Sequence, residues 1–203
     1  PPVKAVMKSL WERLIPADDV ASLLTAHTSG IIKYALSQTS SRAWRDRECG
    51  CLALEAFISQ RSWKEIFPFL EQLWYAGMQV LDDIRESTRA AAIGYTKVLS
   101  QQIMRACSPE TNSTSVAAGN SLTGGSTREK KRKRDEDVNA DLEATTAVVI
   151  PILLDKGLVA QSQEGRGFSL GLLVQIVKVS RESLQEHLVR IIDILIESMA
   201  ALE

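Results

Sequence analysis

The chain has 203 residues, of which 45% are hydrophobic, enough to bury the core of one or two domains. Lys and Arg number 24 against 25 Asp and Glu, a balance that gives no electrostatic footprint for nucleic acid. No apolar run reaches the roughly 18 residues of a membrane span, so no membrane insertion is expected.

Apolar residues at 3, 6, 7, 10, 11 and 14 predict a helix from Val3 to Ile15, stopped by Pro16. A second helix runs from Asp19 to Gln38 on Leu23, Leu24, Ile31, Ile32, Ala35 and Leu36, with a kink expected at Gly30. A turn with Ser40 and Ser41 as candidate caps leads to a third helix over Arg42–Ser59. Ser62 and Glu65 match a capping box that opens the fourth, whose stripe is Trp63, Ile66, Phe67, Leu70, Leu73, Trp74 and Gly77. Pro68 inside that stripe predicts a kink. Asp83 and Glu86 read as a further capping pair, ahead of a helix carrying Ala91, Ala92, Tyr95, Val98, Leu99 and Ile103. Residues 107–138 have no aromatic side chain and no sustained period, and they read as a disordered polar and basic insertion. Helical patterns resume over 140–156, 162–179 and from Arg181 to the end, the last on Leu184, Leu188, Ile191, Ile192, Leu195 and Met199. No strand signal competes.

One phrase is written three times. Arg47, Arg89 and Arg166 are each followed three residues later by a small residue: Gly50, Ala92 and Ser169. Ten residues after each arginine stands a bulky apolar one, Phe57, Leu99 and Ile176. The first interval is about 42 residues, and the second exceeds it by about the length of the insertion, so removing that segment restores the period. Paired helices at this period predict an all-α fold: an α-solenoid of stacked antiparallel helix pairs of the HEAT or armadillo kind, interrupted by one long loop. The organisation expected is HEAT-like repeats over 1–106, the insertion at 107–138, and the same solenoid continuing over 139–203. Small residues let neighbouring helices approach, and the arginines are candidates to hydrogen-bond turn groups of an adjacent repeat. The missing initiator Met and the pattern running to the last residue read as a segment of a longer protein.

Beyond the general repeat, FPFLEQLWYAGMQVLDDIRESTRAAA, SSRAWRDRECGCLALEAFISQR and PILLDKGL resemble the large HEAT-repeat proteasome adaptor and scaffold family. VLDDIRES is the most specific of these phrases. With MKSLWERLIP they span about half of the chain. The resemblance implies a non-enzymatic segment that helps hold the 20S core particle and the 19S regulatory particle together and links proteasomes to other machinery. Its partners would be proteins, the proteasome core and regulatory particles foremost, with no small-molecule substrate and no cofactor, in cytoplasm and nucleus. The alternative is a segment of a karyopherin-type HEAT-repeat nuclear transport receptor. Asp46, Thr88 and Gly165 stand just before the three arginines, where the family more often has a β-branched apolar residue, and they predict altered local packing.

No catalytic, cofactor or metal site is read from the sequence. His27 and His187 lie on separate helices without ligand-spaced neighbours. Asp82 and Asp83 fit turn capping better than acid–base chemistry. Cys49, Cys51 and Cys107 form no disulfide framework, point to a reducing compartment, and are taken as small buried hydrophobes. Gly124 and Gly125 lack the Gly-Lys-Ser/Thr ending and the preceding strand of a phosphate loop. The basic run Lys130, Lys131, Arg132, Lys133 and Arg134 is a candidate nuclear import signal, diluted by Glu129, Asp135, Glu136 and Asp137. Neutralising Lys130–Arg134 is expected to move the protein from nucleus to cytoplasm without altering its helicity, read by imaging and circular dichroism. An unchanged distribution would show that the run is only a solvated loop.

Overall fold

The computed structural model describes residues 17–107, 143–160, 162–179 and 185–200, with the isolated positions 6, 9, 10 and 13. Among these residues every regular element is helical. Most of the first expected helix and nearly all of the 107–138 segment lie outside the described residues.

Helices α1 (Ala17–Ala26) and α2 (Thr28–Thr39) occupy the second expected helix. The irregularity falls at His27 (φ −106°, ψ 11°) rather than at Gly30. The Thr28 hydroxyl donates to Leu24 O at 2.9 Å, a back-bond that bends a helix. Helix α3 (Trp44–Ile58) starts two residues later than expected. Ser41 Oγ accepts from Ala43 N at 3.2 Å and donates to the Asp46 carboxylate at 2.9 Å, which holds the chain in a turn up to Ala43. Asp46, before the first repeated arginine, therefore serves the turn.

Helix α4 (Trp63–Ile66) passes through a 3-10 turn at Phe67–Phe69 into α5 (Leu70–Val80), placing the kink at Pro68. The Glu65 carboxylate accepts from Ser62 N at 3.0 Å, the bond the capping box predicts, and also from Ser62 Oγ at 2.7 Å. Helix α6 (Glu86–Ala106) does not use the expected Asp83–Glu86 pair. Its N-cap is Arg85, and Asp83 Oδ1 instead accepts from Arg85 N at 2.9 Å to shape the preceding turn. Helix α7 (143–152) widens into a π turn at Leu153–Gly157, and α8 (Gln163–Val179) follows, with Gly165 N donating to Ser162 Oγ at 2.9 Å. A 3-10 turn at Gln185–His187 leads into α9 (Leu188–Ala200).

The core is one cluster that runs through the helices from α2 to α9. Its largest fully buried side chains include Trp74, Tyr95, Leu54 and Ile58. Helix α3 packs most extensively on α6, with α2 on α3 and α5 on α6 flanking them. The Tyr95 hydroxyl donates to Leu73 O at 2.5 Å, tying α6 to α5 and satisfying the buried phenol. Cys51 and Cys107 are buried as expected, but Cys49 is exposed. Two residues along a helix turn about 200°, so Cys51 on the core face leaves Cys49 outside.

Small residues set the helix spacing. A Cβ on Gly50 would lie 3.0 Å from Ala35 O and Thr39 N, so α3 approaches the backbone of α2 closely. A Cβ on Gly77 would lie 2.6 Å from Thr96 Cγ2. Thr96 is fully buried, and its hydroxyl is bonded to Ala92 O at 2.7 Å, so it cannot rotate away freely. Gly77→Ala should therefore destabilise by about 1–3 kcal/mol from overpacking, although alanine is favoured over glycine in a helix interior by about 1 kcal/mol. Thr96→Ser in the same chain should recover most of the loss. Leu54→Ala, at a site with no exposure, should cost about 2–5 kcal/mol. Urea denaturation of the three variants checks both statements; a stabilised Gly77→Ala chain would show that the α5–α6 contact is looser than described.

Candidate functional site

The three repeated arginines perform one local task. Arg47 donates to the carbonyls of Ser41 (2.9 Å) and Arg42 (3.0 Å), and Arg89 to those of Asp83 (2.7 Å) and Ile84 (3.0 Å). Arg166 donates to the carbonyl of Ala160 at 2.8 Å. Each guanidinium thus reaches back six residues to hold the turn before its own helix. The expectation of bonds to an adjacent repeat holds at Arg47, whose Nε donates to the Asp83 carboxylate at 2.5 Å, joining the start of α3 to the turn before α6. The position equivalent to Asp83 is Ser41 in the first copy of the phrase and Ala160 in the third, neither of which carries a charge.

Asp83 is 4% exposed at its side chain. The hydrogen bond from Arg47 holds its carboxyl below the ordinary carboxylate range, with burial opposing and the Arg85 N–H assisting. Asp82 is exposed and plays no part in this arrangement, so the two neighbouring acids do not form a carboxylate pair. His27 sits exposed at the α1–α2 junction and His187 in the turn before α9. Among the described residues no group of three His, Cys, Asp or Glu side chains is arranged to hold a metal ion. Burial pushes the Cys51 thiol up to about 12 and the Cys107 thiol up to about 11, leaving both protonated and poor nucleophiles near neutrality. No described helix is long and apolar enough to cross a membrane.

What the fold offers instead is surface. A groove of about 830 Å³ runs between α6 and α8 over Ile93, Met104, Phe168 and Leu172. A second hollow of about 600 Å³ lies between α5 and the π turn, edged by Tyr75 and Val159. At the turns, the guanidinium groups of Arg45 and Arg85 stand 4.8 Å and 5.4 Å from the Trp44 ring, and Ile84 is 95% exposed. These features missed detection in the sequence because they depend on how far apart two helices settle, which helical periodicity does not encode.

The Arg47–Asp83 bond gives a pH-dependent prediction. A carboxyl held below its unfolded value contributes stability that is complete above about pH 4 and is lost as pH falls towards the folded value. Asp83→Asn should lower stability at pH 7 by about 1–3 kcal/mol, typical of a hydrogen bond to a charged group. The gap to the unaltered chain should narrow as pH drops from 5 to 3, measured by urea denaturation at each pH. A gap independent of pH would remove the charge from the account.

Comparison with known proteins agrees with the phrases read above. The chain is 29% identical over 201 residues to the human "Proteasome adapter and scaffold protein ECM29", covering 99% of this chain and 9% of that protein. It is 25% identical over 203 residues to the Schizosaccharomyces pombe "Proteasome component ecm29", covering all of this chain and 11% of that protein. A Drosophila melanogaster "Proteasome-associated protein ECM29 homolog" is 21% identical over 224 aligned residues, again along the whole chain and 10% of that protein. No family model matches the chain. Over its whole length, then, this chain resembles one segment, about a tenth, of the large proteasome adapter and scaffold proteins.

Proposed function

We propose that the chain is a non-enzymatic, HEAT-like segment of a proteasome adaptor, contributing to the association of the 20S core particle with the 19S regulatory particle. The observation that carries this reading is the alignment with proteasome scaffold proteins, which covers 99% and 100% of this chain in the human and fission-yeast relatives. The fold supports it. The three arginines each close the turn before their own helix, which is the behaviour expected if a period near 42 residues marks a recurring unit of paired helices. In this reading the units of 1–106 and 139–203 form one solenoid around the 107–138 insertion, and Lys130–Arg134 within it act as an import signal. The transport-receptor alternative has no comparable support, since none of the relatives reported above is named as one.

The test uses the intact protein, tagged and recovered from cells. Core and regulatory particle subunits should co-purify with it. In-frame removal of residues 17–200 should lower the share of core particle joined to regulatory particle on native gels by at least about twofold, an order-of-magnitude expectation for losing one of several contacts. Recovery of a nucleotide-dependent small GTPase without proteasome subunits would overturn the adaptor reading.

A further inference from the structure

The groove between α6 and α8 differs from the joint beside it. Helix α3 packs extensively along α6, whereas α6 and α8 touch only sparsely and leave a groove over Ile93, Met104, Phe168 and Leu172. On the α8 wall, Gly167 and Gly171 lie one helical turn apart, and a Cβ added to either would meet nothing within 4 Å. Glycine in a helix interior is destabilising relative to alanine. Among the described residues no contact explains either glycine, unlike Gly50 and Gly77, which neighbouring helices crowd. At the α6 wall, Ser100 Oγ is buried without a hydrogen-bond partner. Lys97 stands exposed on the same wall and Arg105 lies two turns further along, while the charge on the α8 wall is Glu164.

We propose that this groove is a docking site for an amphipathic helix of a partner protein. The helix would lie with its backbone close to Gly167 and Gly171, its apolar stripe on Phe168, Leu172, Ile93 and Met104, and an acidic side chain towards Lys97. The walls decide the secondary structure of the guest. Both are helices whose backbone groups bond internally, so the groove has no sheet edge for an extended peptide to join. Two glycines at i and i+4 form a smooth strip that accepts the ridge of a crossing helix. The charges decide its orientation: acid towards α6, and away from Glu164. A polar residue of the guest at the groove floor would give Ser100 Oγ the partner it lacks.

This inference deepens the adaptor reading by naming a contact surface. The probe is a fluorescein-labelled, lactam-stapled helix of 14 residues with leucines at positions 4, 7 and 11 and glutamates along one flank. Its mate has those glutamates replaced by lysines. Fluorescence anisotropy with the intact protein should show the acidic helix bound at least about fivefold more tightly than the basic one, within reach of a few ion pairs. Gly171→Leu, which fills open space and should fold normally by circular dichroism, should weaken the acidic helix by about tenfold or more. Lys97→Glu should weaken the acidic helix and strengthen the basic one. The proposal is overturned if the unaltered protein binds neither helix, if Gly171→Leu binds as well as the unaltered protein, or if Lys97→Glu leaves the charge preference unchanged. Proteasome co-purification from the same cells separates the two readings. Helix binding without any recovered proteasome sinks the adaptor reading alone. Proteasomes recovered with a protein that binds no helix sink the groove alone.

Discussion

The structure depends on burying helices α3 and α6 on two sides at once. Helix α3 meets α2 across Gly50 and α6 across Cys51, Leu54 and Ile58; α6 meets α5 across Tyr95 and Thr96. No single pair of helices has enough partners to cover both apolar faces, so stability is shared between neighbours and not held within one unit. This explains why the positions three and seven residues after each repeated arginine are buried in all three copies: Gly50, Ala92 and Ser169, then Leu54, Thr96 and Leu173. Side-chain size at those positions varies because each is fitted to a different opposing surface, whereas the need to be inside does not vary.

Much of this was legible in the sequence, because a helix repeats every 3.6 residues and its caps use recognisable residues. The capping box at Ser62 and Glu65 and the kink at Pro68 follow from local chemistry and stand where the sequence put them. The errors have a common cause. Gly30 seemed the natural weak point of the second helix, but the irregularity sits at His27, where the Thr28 hydroxyl reaches back into the helix. Asp83 seemed to cap α6, but it spends one oxygen on Arg85 N and the other on Arg47, 36 residues away in sequence. A short polar side chain near a turn has several partners in reach, and sequence spacing does not rank them. Thr88, just before Arg89, is fully buried with its hydroxyl lacking a hydrogen-bond partner, the altered local packing expected at that position.

The interaction surfaces were less legible than the fold. Alignment of the phrase across the chain identified Gly50, Ala92 and Ser169 as spacers, yet Gly167 and Gly171 carried no mark that set them apart from other helix glycines. In the structure both face open space, as Gly30 also does, and only their place on the groove wall distinguishes them. Among the described residues the two histidines lie on separate elements, and the Cys51 and Cys107 thiols are held protonated by burial.

The single Arg47–Asp83 bond has a mechanical meaning. It clamps one end of α3 to the turn before α6, at the same joint where the helices interlock along their length. The next joint has Ala160 where a carboxylate would stand, and an open trough between α6 and α8. Twisting force applied along such an array would pass through the first joint with little give and be taken up at the second. The chain would behave as a stiff lever attached to a softer spring, and a guest seated in the trough would act as a wedge that stiffens the spring and fixes the angle between what lies on either side of it.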